Sequence, residues 1–528
     1  MATKSSEEYD VIVIGAGVNG LVSAAYLAKA GAKTLVVEEK DIVGGGCTTQ
    51  EVNAPGFRHD VCATVHDQIQ DCPIFTEDEL GLFSSFGLKY LFPDPMLVSI
   101  FRDNKRVIQY QSVQKSADDI AKLSQHDAQS YKKVFDYWDK VVRTPFVAAR
   151  QAPPVPPSQF YGTLEKTPEG REMMTQFMMS ALELVEENFE DDHVKSHLLR
   201  LTTAGGFPST EHNLGWVLYS LVFNRHSYHW GFPEGGAQGL PDALVRCITH
   251  YQGKVVTSAG VRRVLVENGV AVGVELENGK QIRAKRAVIS SIHPKVLFLM
   301  MLDEKWVSED LRNQIRRLKF AMSEYVIHLA LKEAPKPRPE YKIDGAVLYG
   351  TPESTEVVVD EFVNLDRNRI ADDPRRNPLQ ILDHAFIDPK RAPSGGHTLN
   401  VSNYAPYNLN GDPQNWEKVK MDLYEGYVNN LHDYFPNVSK ETIIGYSVFT
   451  PLDFERHDSS FLEGTPFGLG YSPWQSGYMR PLPTLSGYRT PIKGLYLTGA
   501  STWPGAAIQG HPGRNTARVV IQDLGLRP

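Results

Sequence analysis

At 528 residues the chain is long enough to bury more than one hydrophobic core, and its 41% hydrophobic and 22% charged content is ordinary for a soluble globular protein. A formal charge of −8 leaves no basic surplus to neutralise phosphates, which argues against nucleic acid as a partner. The four cysteines, Cys47, Cys62, Cys72 and Cys247, form no C-x-x-C pair and no zinc spacing, so no redox disulfide and no metal is expected; cysteine this sparse fits a reducing, cytoplasmic compartment.

The opening MATKSSEEYD is polar and runs straight into a strand, leaving no room for a signal peptide. The longest apolar run, Val296 to Leu302, falls far short of the roughly twenty residues that span a bilayer, so membrane contact is expected to be peripheral at most. From Tyr9 the pattern is specific. Val11 to Ile14 form an unbroken β-branched run, as in a parallel strand buried on both faces. Gly15, Gly17 and Gly20 follow at G-x-G-x-x-G spacing: one for the turn, one for close approach of a diphosphate, one for helix-on-strand packing. Residues 18–30 read as the helix, ended by Gly31, and Thr34 to Val37 as a second strand. Glu38 lies eighteen residues after Gly20, where a carboxylate accepts hydrogen bonds from ribose hydroxyls. Strand, glycines, helix, strand and acid in that order predict a dinucleotide site, and Gly44, Gly45 and Gly46 bring the chain past it again.

Further on, Arg58 is read either as a phosphate ligand or as a surface ion pair with Asp60, and His66 as either substrate-facing or structural. Residues 115–142 carry helical periodicity throughout, APPVPP at 152–157 is a loop or polyproline segment, and helices are expected around 169–188 and 191–203. Met173, Met174, Met178 and Met179 either line an adaptable apolar pocket or fill a core. From Gly231 the pattern returns to nucleotide-binding architecture. A helix is expected over 241–251, then strands near 254–257, 260–267, 270–277 and 280–283, with hairpin turns at Asn268-Gly269 and Asn278-Gly279, and a buried strand at Ala287 to Ile289. Residues 300–450 mix helices with strands such as Tyr325 to Leu331 and Glu356 to Val359, and 365–395 reads as loops. Near the C-terminus, Leu495 to Thr498 is a buried strand. Gly499 and Ala500 turn the chain, Gly505, Gly510 and Gly513 permit a second close approach, and Pro512 opens a helix to about residue 523.

The pieces IGAGVNGLVSAAYLAKAG with VVEEKDIVGG, PGFRHDVCATVH, GFPEGGAQGLPDAL and GLYLTGASTWPGAAIQGHPGRN together resemble the phytoene desaturase-like branch of FAD-dependent oxidoreductases, a group of carotenoid desaturases, carotenoid ketolases and a pyridine nucleotide-disulfide oxidoreductase-domain protein. The resemblance implies an α/β (α+β) fold of the amine oxidase and glutathione reductase type: a split Rossmann-type FAD-binding domain (1–70, 231–295 and 487–528) with an inserted substrate domain (71–230 and 296–486, a helical lobe plus a mixed sheet). It assigns FAD to Gly15, Ala16, Gly17, Val18, Asn19 and Gly20, to Glu38 and Glu39, to Gly44, Gly45 and Gly46, to Val261 beside the adenine, and to Gly499, Ala500, Ile508, Gln509 and Gly510. One departure matters. Related amine oxidases carry arginines flanking the second glycine pair, where this chain has Ile42, Val43 and Gly46, so phosphate charge must be met elsewhere, with Arg514 as candidate.

No second G-x-G-x-x-G unit exists for a nicotinamide. The implied reaction is dehydrogenation (desaturation) of an apolar, isoprenoid or cyclic substrate by hydride transfer to the flavin, which oxygen or a quinone reoxidises. Candidate catalytic groups are His511, Arg514 and His66, with His229 a weaker fourth. The alternatives are an amine or amino-acid oxidase, and a non-enzymatic prenyl-protein-binding protein on the same fold.

Overall fold

The computed structural model describes residues 8–527, and the first seven residues, on which the expectation about a signal peptide partly rests, lie outside them. The strand Glu8–Ile14 sits inside a seven-stranded sheet, parallel to Thr34–Val37 on one side (Ile14 opposite Val37) and to Gln281–Ser290 on the other (Ile14 opposite Ser290). Because side chains alternate along a strand, its apolar run feeds two cores. Val11 and Val13 pack with Leu21, Ala25, Leu244 and Val520 from three helices (Val18–Lys29, Gly239–His250 and His511–Leu524), while Ile12 and Ile14 pack with Val288, Leu276 and Ile315 on the opposite face.

Two strands expected separately, 280–283 and 287–289, are one ten-residue strand, Gln281–Ser290. Its outer half closes an antiparallel meander with Val261–Glu267 and Val270–Leu276, and its fully buried end lies parallel to Leu495–Leu497. Asn268 and Gly269 both take positive φ (50° and 76°), the conformation a tight hairpin needs. Lys254–Val256 instead pairs parallel with Thr34–Val37 at the far edge.

A second, mixed seven-stranded sheet runs in the order Ile443–Phe449, Ser323–Leu331, His397–Ala405, Gln380–Leu382, Leu348–Gly350, Leu97–Ile100, Arg106–Gln109. It therefore draws strands from both sides of the 231–295 segment. The helical lobe, built around Trp138, Leu184, Leu198 and Val222, packs beside it.

Three expectations are corrected by capping and packing. The helical pattern over 115–142 is broken into Val113–Ile120 and Gln125–Tyr137, because the Ser124 hydroxyl accepts the Asp127 N–H (3.0 Å) and starts a new helix; a π-helical turn, Trp138–Val142, then leads into Arg143–Arg150. The pattern over 169–188 is split at Ser180 by a capping box with Glu183. Glu356 to Val359, expected as strand, lies in the helix Thr355–Asp366, capped by Ser354, so local β-branched preference gives way to the cap and to burial of Val358 and Phe362. Within 365–395 the chain also forms the sheet strand Gln380–Leu382.

Candidate functional site

A cavity of about 1040 Å³ opens at the carboxyl ends of the parallel strands and extends into the helical lobe. At the strand end the chain turns at Gly15 (φ +90°) and enters the helix Val18–Lys29 through Gly17. A Cβ placed on Gly17 would meet nothing within 4 Å and would project into the cavity. That helix has no side-chain cap and no acid in its first turn, so its free N–H groups and partial positive charge are left for an anion. The second glycine cluster stacks on the first. Gly44 bridges to Gly17 and donates its N–H to the Ala16 carbonyl (2.9 Å), and a Cβ on Gly45 would lie 3.2 Å from Gly17 Cα.

Glu38 stands at the end of the neighbouring strand, its carboxylate accepting N–H bonds from Ala16 (2.6 Å) and Lys40 (2.9 Å). Burial raises its pKa, and the two backbone donors oppose that rise. Glu39 accepts from the Ser459 hydroxyl at 2.5 Å, and both glutamates face the cavity together with Val261. Gly499 (φ +104°), Ala500, Ile508 and Gln509 line it further along. The donor set suits FAD: bare glycine backbone and a free helix N-terminus for a diphosphate, Glu38 for ribose, and a buried Asn19 Oδ1 with no partner to accept from a ligand hydroxyl.

Three residues expected at the cofactor lie behind the cavity wall. The Ala16 N–H is tied to Glu38; a Cβ on Gly20 would collide with the Gly15 carbonyl; and Gly510, at φ +69°, packs against Ile69 and Ile74. Gly513 makes its close approach to the first helix, where a Cβ would stand 2.5 Å from the Asn19 carbonyl. Gly505 (φ +130°) leaves room for the Tyr471 hydroxyl.

None of the expected catalytic side chains reaches the cavity. His66 is fully buried, its ring between the Tyr90 hydroxyl (2.6 Å from Nδ1) and the Cys47 thiol (3.5 Å from Nε2), and burial pushes its pKa down to about 3. His511 is equally buried. Desolvation, with Arg150 and Arg514 nearby, holds it well below the usual histidine value, so its 3.4 Å approach to Asp71 is the contact of a neutral ring. Arg514 is clamped by Glu79 in two 2.7 Å bonds and does not line the cavity. His229 is exposed and bonded to Gln111 (2.9 Å). Both readings of Arg58 fail: it does not line the cavity, and Asp60 is fully buried and paired with Arg391 at 2.8 Å. Of the methionine cluster Met173 alone lines the cavity, and Met178 is 42% exposed.

The structure supplies what the sequence reading missed. Arg480 lines the cavity and is buried. It donates to the carbonyls of Gly470 (3.0 Å), Leu469 (3.0 Å) and Ala500 (2.8 Å), and its guanidinium lies 4.4 Å from the Tyr471 ring. Arg150 and Arg225, the other cavity-lining guanidiniums, pair with Asp71 and Asp67, whereas Arg480 has no carboxylate partner among the described residues. Burial pulls its pKa below the ordinary arginine value. A buried cation with no counter-charge favours an anionic or electron-rich ligand beside it. Nothing in the local stretch YMRPLPTL marks this arginine out. Beyond it the cavity becomes a chamber of Phe146, Phe160, Phe177, Phe207, Trp216 and Trp230, with Glu324 in its wall.

Comparison with known proteins agrees with this geometry. Residues 19–521 match the family described as flavin containing amine oxidoreductase. The chain is 29% identical to a limonene dehydrogenase polypeptide of Castellaniella defragrans (98% of this chain, 96% of the relative). It is 26% identical to pyridine nucleotide-disulfide oxidoreductase domain-containing protein 2 of Rattus norvegicus (98% and 94%), and 24% identical to a lycopene-forming phytoene desaturase of Pseudescherichia vulneris (97% and 99%). The crystal structure of an oxidoreductase from Methanosarcina mazei superposes with a TM-score of 0.63 at 18% identity, over 97% of this chain and 99% of that one, which shows the shared fold. The chain belongs to the flavin-containing amine oxidoreductase family, as an FAD-dependent, phytoene desaturase-like enzyme.

Proposed function

We propose that this enzyme dehydrogenates an apolar, isoprenoid or cyclic small molecule in the aromatic chamber, with oxygen or a quinone as final electron acceptor. The observation that carries this reading is the chamber itself: six aromatic side chains line the space that runs on from the glycine cradle. Relatives named for limonene and phytoene support it. FAD, when bound, supplies the hydride-accepting, two-electron oxidation. The chain's own contribution is to bind, orient and keep water out. In this reading segments 8–70, 231–295 and 487–527 hold the cofactor, with Gly17 and Gly45 at the diphosphate and Glu38 at the ribose, while 71–230 and 296–486 hold the substrate. Arg480, next to Ala500, sets positive charge at the cofactor end of the chamber. Four free cysteines fit a reducing compartment, the cytoplasm. Among the described residues no helix is long and apolar enough to cross a membrane. The test is anaerobic titration of the FAD-loaded protein with monoterpenes, longer polyenes and primary amines, following the visible flavin band. Bleaching by isoprenoids is the expected result, and bleaching by amines alone would replace this reading with an amine oxidase.

A further inference from the structure

We propose that Glu324 is the proton acceptor of the chamber, the carboxylate that takes the substrate's proton. The inference rests on the dehydrogenation reading above. Glu324 lies on the strand Ser323–Leu331, opposite Tyr404, and lines the cavity. The other acids around the cavity are committed. Glu38 accepts backbone N–H bonds, Glu39 accepts from Ser459, Asp67 pairs with Arg225, and Asp458 accepts from Ser460. Glu324 has no hydrogen bond or ion pair to any described residue, so its oxygens are free for a ligand. His293, a cavity-lining histidine, caps a helix through Nδ1, and burial pushes its pKa down to about 3, which leaves it a poor proton acceptor near neutral pH.

The surroundings of Glu324 place and tune it. On one side Arg200 lies against the Tyr404 ring (5.4 Å) and pairs with Glu361 at 3.1 Å, while the second Glu361 oxygen is buried without a partner. On the other side is Cys62, whose thiol is raised by burial and then by Glu324, and which adjoins Gly46 of the second glycine cluster. Glu324 thus lines the cavity together with Tyr404, its neighbour across the strand pair, and with Cys62, which adjoins the second glycine cluster. Arg200 pairs with Glu361 and acts on Glu324 through its charge alone. Burial lifts each carboxyl to about 7 and Arg200 opposes the lift, so near neutral pH the pair has protonated and ionised forms both within reach. A general base is most effective with its pKa near the working pH.

The step balances. A C–H bond of the substrate gives its proton to a Glu324 oxygen, and its electron pair becomes the π bond of the new C=C. The hydrogen lost with its pair from the adjacent carbon is the two-electron equivalent already assigned to FAD. On the next turnover the proton leaves Glu324 for solvent.

The test uses FAD-loaded enzyme. E324Q is expected to keep its flavin band and bind substrate, to slow anaerobic flavin reduction by about 10²-fold, and to lose the wild-type rise in rate around pH 7, with E324D recovering part of the rate. Independently of any substrate, infrared difference spectra across pH are expected to show protonated-carboxyl C=O absorption titrating near 7 from Glu324 and Glu361 together, of which E324Q removes the Glu324 component and E361Q the other. Should E324Q fail to hold FAD, E361Q serves instead: freeing Arg200 for Glu324 alone moves the band's midpoint to lower pH. Wild-type flavin reduction in E324Q, carboxyl absorption that E324Q leaves undiminished, or an unmoved midpoint of the remaining Glu324 band in E361Q each overturns the proposal. If no isoprenoid reduces the wild-type flavin, the substrate reading falls, and the infrared band still decides whether Glu324 holds the proton.

Discussion

Gly17 and Gly44, from two separate loops, meet as a single parallel β-bridge, with Gly45 packed 3.2 Å from Gly17 Cα where a Cβ would stand. The contact strips side chains from one wall of the cavity and leaves bare glycine backbone facing it. Two glycine substitutions should therefore behave oppositely. Gly17→Ala adds a methyl that points into open space, so the fold should tolerate it, while FAD retention after gel filtration should drop at least about tenfold, since a displaced diphosphate contact costs over 1 kcal/mol. Gly513→Ala pushes a methyl against the Asn19 carbonyl and should cost about 1–3 kcal/mol in thermal or denaturant unfolding with FAD affinity little changed. Equal effects of the two on FAD would show that the bridge does not form the cofactor wall.

Arg480 is expected to serve stability and cofactor together. Arg480→Met strands the carbonyls of Leu469 and Ala500, while Gly470 keeps the Gln475 amide, and should destabilise the enzyme by about 2–4 kcal/mol. If its charge also acts on the cofactor, the rise in melting temperature produced by FAD should shrink in the variant. An undiminished FAD shift would confine Arg480 to a structural part.

The buried histidines set an acid limit. His66, His197, His293 and His328 are each pushed by burial to about 3, while unfolded histidine titrates near 6.5. Between those values the unfolded chain binds more protons than the native one. Stability must then rise with pH through that window and fall on acidification below about 6.5, by up to about 1.4 kcal/mol per pH unit for each histidine. Urea melts from pH 4 to 7 would reveal the slope, and His66→Asn should reduce it while leaving the rate of flavin reduction within about threefold of wild type. A large loss of that rate would return His66 to the catalytic candidates.

Glu324 carries the opposite sign. Its native pKa is raised from 4.5 to about 7, so between those values the native state binds more protons than the unfolded chain and stability falls as pH rises through that window. E324Q should match wild-type stability at pH 4 and exceed it at pH 8 by about 1–3 kcal/mol, as a proton acceptor kept in a water-excluding site at the expense of stability would require. A variant less stable at both pH values would mean that Glu324 supports the fold.

What the sequence determined by itself is the local chemistry of the cradle. Four β-branched residues, three glycines, a helix and a terminal acid lie within about thirty positions, and strand, turn and helix propensities act at that range, so the dinucleotide reading and the Asn268-Gly269 hairpin were legible without coordinates. The fold class was implied by the family resemblance that these pieces and the later glycine-rich segments carry together. The identity of the working side chains was not. Arg514 reads as a phosphate ligand until Glu79, 435 residues away, claims it; His66 reads as substrate-facing until Tyr90 and Cys47 enclose it. Glu324 and Arg480 sit in stretches without any pattern, and only the closure of the second sheet and the helical lobe over the first makes one a free carboxylate and the other an uncompensated cation. Charge burial and pairing depend on partners brought together across the whole chain, and local propensity carries no record of them.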